Sequence, residues 1–96
     1  MIKRSKDKEG VKLTFTLSLQ DTPQPVSVCG DFNDWDPLAN PLKKRANGTR
    51  SASVVVPAGG TYAFKYLSEG GNWFNDMDAD SHTTNEYGEV NSIVET

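Results

Sequence analysis

The sequence predicts an all-β domain, an antiparallel sandwich of about seven short strands. Three observations predict it. Residues 11–19 alternate strictly, with Val11, Leu13, Phe15, Leu17 and Leu19 apolar and Lys12, Thr14, Thr16 and Ser18 polar. A period of two sustained over that length is the signature of a half-buried strand. Gly, Pro, Asn and Asp then punctuate the chain at short intervals, and no segment carries an apolar stripe at helical spacing.

Taken in order, residues 1–10 are polar and charged and are expected to form a disordered tail, which leaves 11–96 as the domain. Four of the ten basic residues (Lys3, Arg4, Lys6 and Lys8) fall in that tail, where a charge run is read as a solvated terminus. Residues 11–19 are the first strand, and the Asp21-Thr22-Pro23-Gln24-Pro25 stretch turns the chain into a second at 26–29. A loop rich in Asp, Asn and Pro follows. Residues 42–45 and 50–56 flank Asn47-Gly48, the dipeptide of a type I′ hairpin, whose two central positions both need positive φ. Pro57-Ala58-Gly59-Gly60 turns into a strand at 61–67, with Tyr62, Phe64 and Tyr66 on one face and Ala63, Lys65 and Leu67 on the other. A short extended piece at 72–74, a long acidic loop at 75–88 and a last strand at 90–94 complete the chain. Seven strands at this spacing within about 100 residues point to an immunoglobulin-like arrangement.

The chain of 96 residues allows one domain with a real core, and its net charge is −3. Outside the basic tail the domain is more acidic still, which argues against nucleic acid as a partner. The single cysteine, Cys29, sits in an apolar run and reads as a small buried hydrophobe, with no neighbouring base to activate it. No apolar stretch is long enough to span a membrane and no signal-peptide pattern opens the chain, so the expected location is cytoplasmic.

Catalysis finds little support. The one histidine, His82, lies in a polar loop, and no carboxylate pair sits in an apolar setting that would raise a pKa. No phosphate loop leads into a helix. The reading is not an enzyme, with no cofactor. Asp76, Asp78 and Asp80 have the spacing that opens an EF-hand loop, but Ser81 stands where that loop needs Gly and Tyr87 where it needs Glu. An acidic, solvated loop is the better reading.

The remaining constellation is aromatic. In Val28-Cys29-Gly30-Asp31-Phe32-Asn33-Asp34-Trp35 a short strand ends at a glycine and runs into a tight turn. Phe32 and Trp35 then point to different sides, so one reaches the core and the other faces solvent. Trp35 and Trp73 both sit in turn-rich settings, and Lys65 lies on the outward face of its strand. An exposed indole offers a flat apolar surface to the C–H face of a sugar ring, while amide and ammonium groups bond hydroxyls. Two buried core tryptophans would fit the spacing as well.

Gly30-Asp31-Phe32-Asn33-Asp34-Trp35, Pro41-Leu42, Val56-Pro57-Ala58-Gly59, Tyr62-Ala63-Phe64-Lys65-Tyr66, Gly71-Asn72-Trp73 and Val90-Asn91-Ser92-Ile93-Val94 occur in that order. The series resembles carbohydrate-binding module family 48, which includes the glycogen-binding domain of the AMP-activated protein kinase β subunit. It is similar too to the amino-terminal early-set domains of isoamylase and branching enzymes. The resemblance implies an immunoglobulin-like early-set sandwich that binds α-1,4-linked glucan. Trp35 and Trp73 would stack on sugar rings, and Lys65 and Asn91 would bond hydroxyls. Tyr87 falls where a leucine of the kinase-type members inserts into the glucan, and Glu89 where they carry a sugar-bonding threonine. The alternative is an interaction module of the same fold, its sugar site degenerate, acting on a glucan-metabolising enzyme or kinase in trans.

Overall fold

The computed structural model describes residues 2–96. Nine strands and one turn of 3₁₀ helix follow in the order β1 (Ile2–Asp7), β2 (Gly10–Ser18), β3 (Val26–Gly30), the 3₁₀ turn (Asp31–Asn33), β4 (Lys43–Lys44), β5 (Thr49–Val56), β6 (Thr61–Ser68), β7 (Asn72–Phe74), β8 (Ser81–Thr84) and β9 (Val90–Glu95). They form two antiparallel sheets. One runs β1-β2-β5-β4 and the other β3-β6-β9-β8, with β7 paired to β6 beside β9. The all-β sandwich expected from the alternation is the fold.

The period of two does the work of folding. Leu13 and Phe15 of β2, Ala52 and Val56 of β5, Val26 and Val28 of β3, Phe64 and Tyr66 of β6 and Val94 of β9 meet between the sheets. Phe15 is the hinge of this packing, because its ring lies 5.0 Å from that of Phe64 and 6.4 Å, edge-on, from that of Tyr66. Phe32 reaches the same cluster, 5.6 Å from Phe15. The Tyr66 hydroxyl donates to Asp76 Oδ2 at 2.6 Å; burial and then the Asp76 charge push its pKa far above the ordinary tyrosine value. The Asp76 backbone N–H donates to Ser92 Oγ at 3.0 Å and its Oδ1 accepts the Asp78 N–H at 2.8 Å, so this buried carboxylate belongs to a satisfied polar network.

Three local expectations need correction. Residues 2–7, expected within a disordered tail, form β1 in continuous register with β2, from Ile2 opposite Phe15 to Asp7 opposite Gly10; Met1 lies outside the described residues. The acidic stretch 75–88 holds a further strand, β8, paired with β9 from Ser81 opposite Ile93 to Thr84 opposite Val90. Both are edge strands exposed on both sides, apart from the half-buried Ile2. Such strands are held by backbone pairing and carry no apolar alternation, and on β1 the charged side chains guard an open edge. Third, the β4–β5 hairpin is not type I′. Among its central residues only Gly48 has positive φ, at 80°, and the Arg45 N–H reaches Thr49 O at 2.7 Å, which is the three-residue loop closed by a left-handed glycine.

Arg50, buried among apolar neighbours, donates from Nε to Thr22 O and from Nη2 to Pro23 O, each at 3.1 Å. Its charge thereby ties the β2–β3 loop to β5. At the opposite edge Arg4 of β1 crosses between the sheets, donating to Glu95 O at 2.9 Å and pairing with Asp80 at the start of β8.

Candidate functional site

The loop after β3 is built around two side chains. Asn33 Oδ1 accepts the Gly30 N–H at 3.0 Å, and its Nδ2 donates to Val28 O at 3.0 Å and to Asn40 Oδ1 at 2.8 Å. This clamp closes the turn through Asp34 and Trp35, both in the left-handed region at φ 55° and 57°, a conformation that costs non-glycine residues on the order of 1 kcal/mol each. Gly30 is required for a different reason: a Cβ there would stand 2.5 Å from Ala63 O and 2.8 Å from Phe64 Cβ. The second organiser is Asp31. Its Oδ1 accepts the indole N–H of Trp35 at 3.1 Å and its Oδ2 the Ala63 N–H of β6 at 2.8 Å. One carboxylate therefore fastens the half-buried Trp35 ring to the sheet.

Trp73 stands on β7 opposite Leu67 and is 47% exposed, which excludes the reading of two buried core tryptophans. The two indoles are 6.5 Å apart, centroid to centroid, with planes inclined at 54°. Lys65 lies on the same face of β6. Its side chain is largely covered, and Nζ sits 3.9 Å from the exposed Glu89 carboxylate. Asn91 of β9 is half-buried. These residues meet in an open groove of about 390 Å³, which Trp35, Lys65, Trp73 and Asn91 line together with Asp31, Ala63, Asn85 and Glu89. Of the five residues singled out in the sequence, the structure brings four together. Tyr87 is 80% exposed at the tip of the β8–β9 loop and does not line the groove.

Three lining residues were not singled out, Asp31, Ala63 and Asn85. Asp31 could have been found by its place four residues before Trp35 in a tight turn, where a carboxylate reaches an indole N–H. Asn85 shapes the far rim by accepting the N–H groups of Tyr87 and Glu89 at 2.9 and 3.0 Å; an Asn three residues before Gly88 is the signal of such a turn.

The other candidates resolve into structure. Cys29 is buried, and burial first and the Asp36 charge second push its thiol pKa up, so the thiolate is disfavoured. His82 is on β8, with Nε2 at 2.9 Å from Asp76 O. The D-x-D-x-D carboxylates diverge, Asp76 toward Tyr66 and Asp80 toward Arg4, and among the described residues no cluster of three ligating side chains could hold a metal. Among the described residues no helix is long and apolar enough to cross a membrane.

Two inclined indoles beside an ammonium and an amide on one sheet face offer chemistry suited to a ligand with both apolar faces and hydroxyls. The family model of carbohydrate-binding module 48 (isoamylase N-terminal domain) matches residues 7–81, and the chain belongs to that family. No curated protein matches it. The matched segment contains Trp35, Lys65 and Trp73, whereas Asn85, Tyr87, Glu89 and Asn91 lie beyond it.

Proposed function

We propose that the groove binds α-1,4-linked glucan (glycogen, starch or maltooligosaccharide) and makes or breaks no bond. The observation that carries this reading is the 54° inclination of two indoles 6.5 Å apart. An α-1,4 chain curves, so successive glucose rings turn relative to one another and meet inclined planes face to face. A flat β-linked ribbon asks for coplanar rings. Trp35 and Trp73 stack on the sugar, Lys65 and Asn91 bond hydroxyls, and Tyr87 extends the contact at the rim to a longer chain. An open platform of this size corresponds to micromolar to millimolar affinity, about 4–8 kcal/mol.

A second reading, an interaction module of the same fold, is favoured by the Glu89 carboxylate, which engages the ammonium that a sugar would use. Titration of ¹⁵N-labelled protein with maltoheptaose separates the two. Shifts of both indole N–H signals and of the amides around Lys65 and Asn91, with none from cellohexaose, are expected. Silence at millimolar maltoheptaose would remove the sugar reading and leave the fold.

A further inference from the structure

The charges of this molecule are segregated by sheet. Residues 2–18 and 43–56, which make up the β1-β2-β5-β4 sheet and its hairpin turns, contain nine of the ten basic and two of the thirteen acidic residues, a formal +7. All other residues together contain one basic and eleven acidic residues, −10, which reproduces the net −3. Two of the nine cations serve the fold: Arg4 pairs with Asp80, and Arg50 holds the β2–β3 loop. Four of the others share the outer face of the sheet.

Register shows this directly. Leu13 and Phe15 of β2 point into the core, so Lys12, Thr14 and Thr16 point out. Lys3 stands opposite Thr14, Ser53 opposite Thr14 on the other side, and Lys43 opposite Ser51. Residues directly opposite in an antiparallel pair share a face. The centre of the face is a row of hydroxyls, with Thr14 Oγ1 and Ser53 Oγ 2.9 Å apart. Lys3 and Lys43, on the two edge strands, are separated by about 14 Å, three strand spacings. Arg45 lies between two shallow depressions, one walled by Lys3 and Thr49 and the other by Lys43 and Ser53. Its Nε donates to Ser51 Oγ at 2.8 Å, which fixes the guanidinium on this face. A guanidinium held in this way is prepared for a carboxylate. Among the described residues Lys3, Lys12 and Lys43 form no ion pair.

We propose that the outer face of the β1-β2-β5-β4 sheet docks an acidic protein surface, with Lys3, Lys12, Lys43 and Arg45 as its contacts. Charge complementarity selects the partner. A long nucleic acid is disfavoured on two grounds: this face has no aromatic ring on which bases could stack, and a polyanion extending past it meets the −10 remainder. The docking face and the groove lie on opposite sheets, so an acidic protein and the groove's ligand can be held at once, with the groove turned away from the partner.

The test uses the full chain and a fluorescein-labelled oligo-glutamate peptide, read by anisotropy at low and high salt. Binding is expected at low salt, falling by about tenfold or more with added salt and, separately, in the Lys43→Glu/Arg45→Glu variant. Because Arg45 also bonds the β5 hairpin, the Lys3→Glu/Lys12→Glu variant is measured beside it, and each variant must keep the wild-type thermal melt. Maltoheptaose shifts, whatever they are in the wild type, are expected to be unchanged in both, so the docking result stands apart from the sugar result. Absence of oligo-glutamate binding, binding unaffected by either folded variant, or tighter binding of an oligothymidylate would overturn the proposal. A salt-sensitive dimer of the chain alone in sedimentation would overturn it too, by making the partner a second copy.

Discussion

The two walls of the groove are built in opposite ways. The Trp35 wall is fixed by five side-chain hydrogen bonds, three from Asn33 and two from Asp31, and it rests on the buried Cys29 and Gly30. The β8–β9 wall has every residue from Ser81 to Val90 exposed except Asn85. It is held by backbone pairing to β9, by Asn85 within its own loop and by the Arg4–Asp80 pair at its root. A binding groove needs one wall that does not reorganise, because ordering a platform on binding subtracts from affinity. The second wall, with few buried contacts, can then vary at little cost to the fold.

The comparison breaks most severely at Asn33. Asn33→Ala removes three partly buried hydrogen bonds and is expected to destabilise the domain by about 2–3 kcal/mol. It should weaken glucan binding by more than about tenfold, because Trp35 loses its left-handed turn. Urea denaturation and maltoheptaose titration measure the two effects. Trp73→Ala separates affinity from stability: binding should fall by about tenfold or more, while stability changes by less than about 1 kcal/mol, since the ring is half in solvent. Unchanged binding by the folded variant would remove Trp73 from the site.

The weaker wall answers to pH. The Asp80 carboxyl is held below its ordinary value of 3.8, first by the hydrogen bond from the Glu95 N–H and further by Arg4. A depressed folded pKa means that the stabilisation is fully present above the unfolded value, and is lost as pH falls through the folded one. Stability should therefore drop below about pH 4, and Arg4→Ala should make that drop shallower by less than about 1 kcal/mol, since the pair is partly exposed. Denaturation series across that range would show it. Last and smallest, Glu89→Gln releases Lys65 from its neighbour across 3.9 Å. Affinity for neutral glucan should rise about two- to fivefold, with stability changed by no more than about 0.5 kcal/mol.

What was legible in the sequence follows the same division. Strands that bury one face announce themselves by alternation, and the core formed by Leu13, Phe15, Phe64, Tyr66 and Val94 was readable from that alone. β1 and β8 bury almost nothing, so no side-chain pattern marked them; their existence depends on the pairing capacity of β2 and β9, which is a property of the backbone. The groove was legible where a turn demands particular residues, as at Gly30, Asn33 and Trp35. It was opaque where a side chain acts across the fold. Nothing local to Asp31 states that Ala63, on a different strand, offers it an N–H. Nothing local to Arg50 states that its two carbonyl partners lie on a loop nearly thirty residues away in sequence.

One consequence of the indole pair is optical. The chain has two tryptophans in all, and both are in the groove, while the core aromatics are phenylalanine and tyrosine. Emission excited at the red edge of the absorption band therefore comes from the groove alone. Held 6.5 Å apart in one relative orientation, the two indoles supply the tryptophan part of the near-ultraviolet dichroism, which reports the order of the groove. During unfolding, loss of that part ahead of the far-ultraviolet signal would time the opening of the groove separately from the melting of the sheets. The protein reports on its own site without a label.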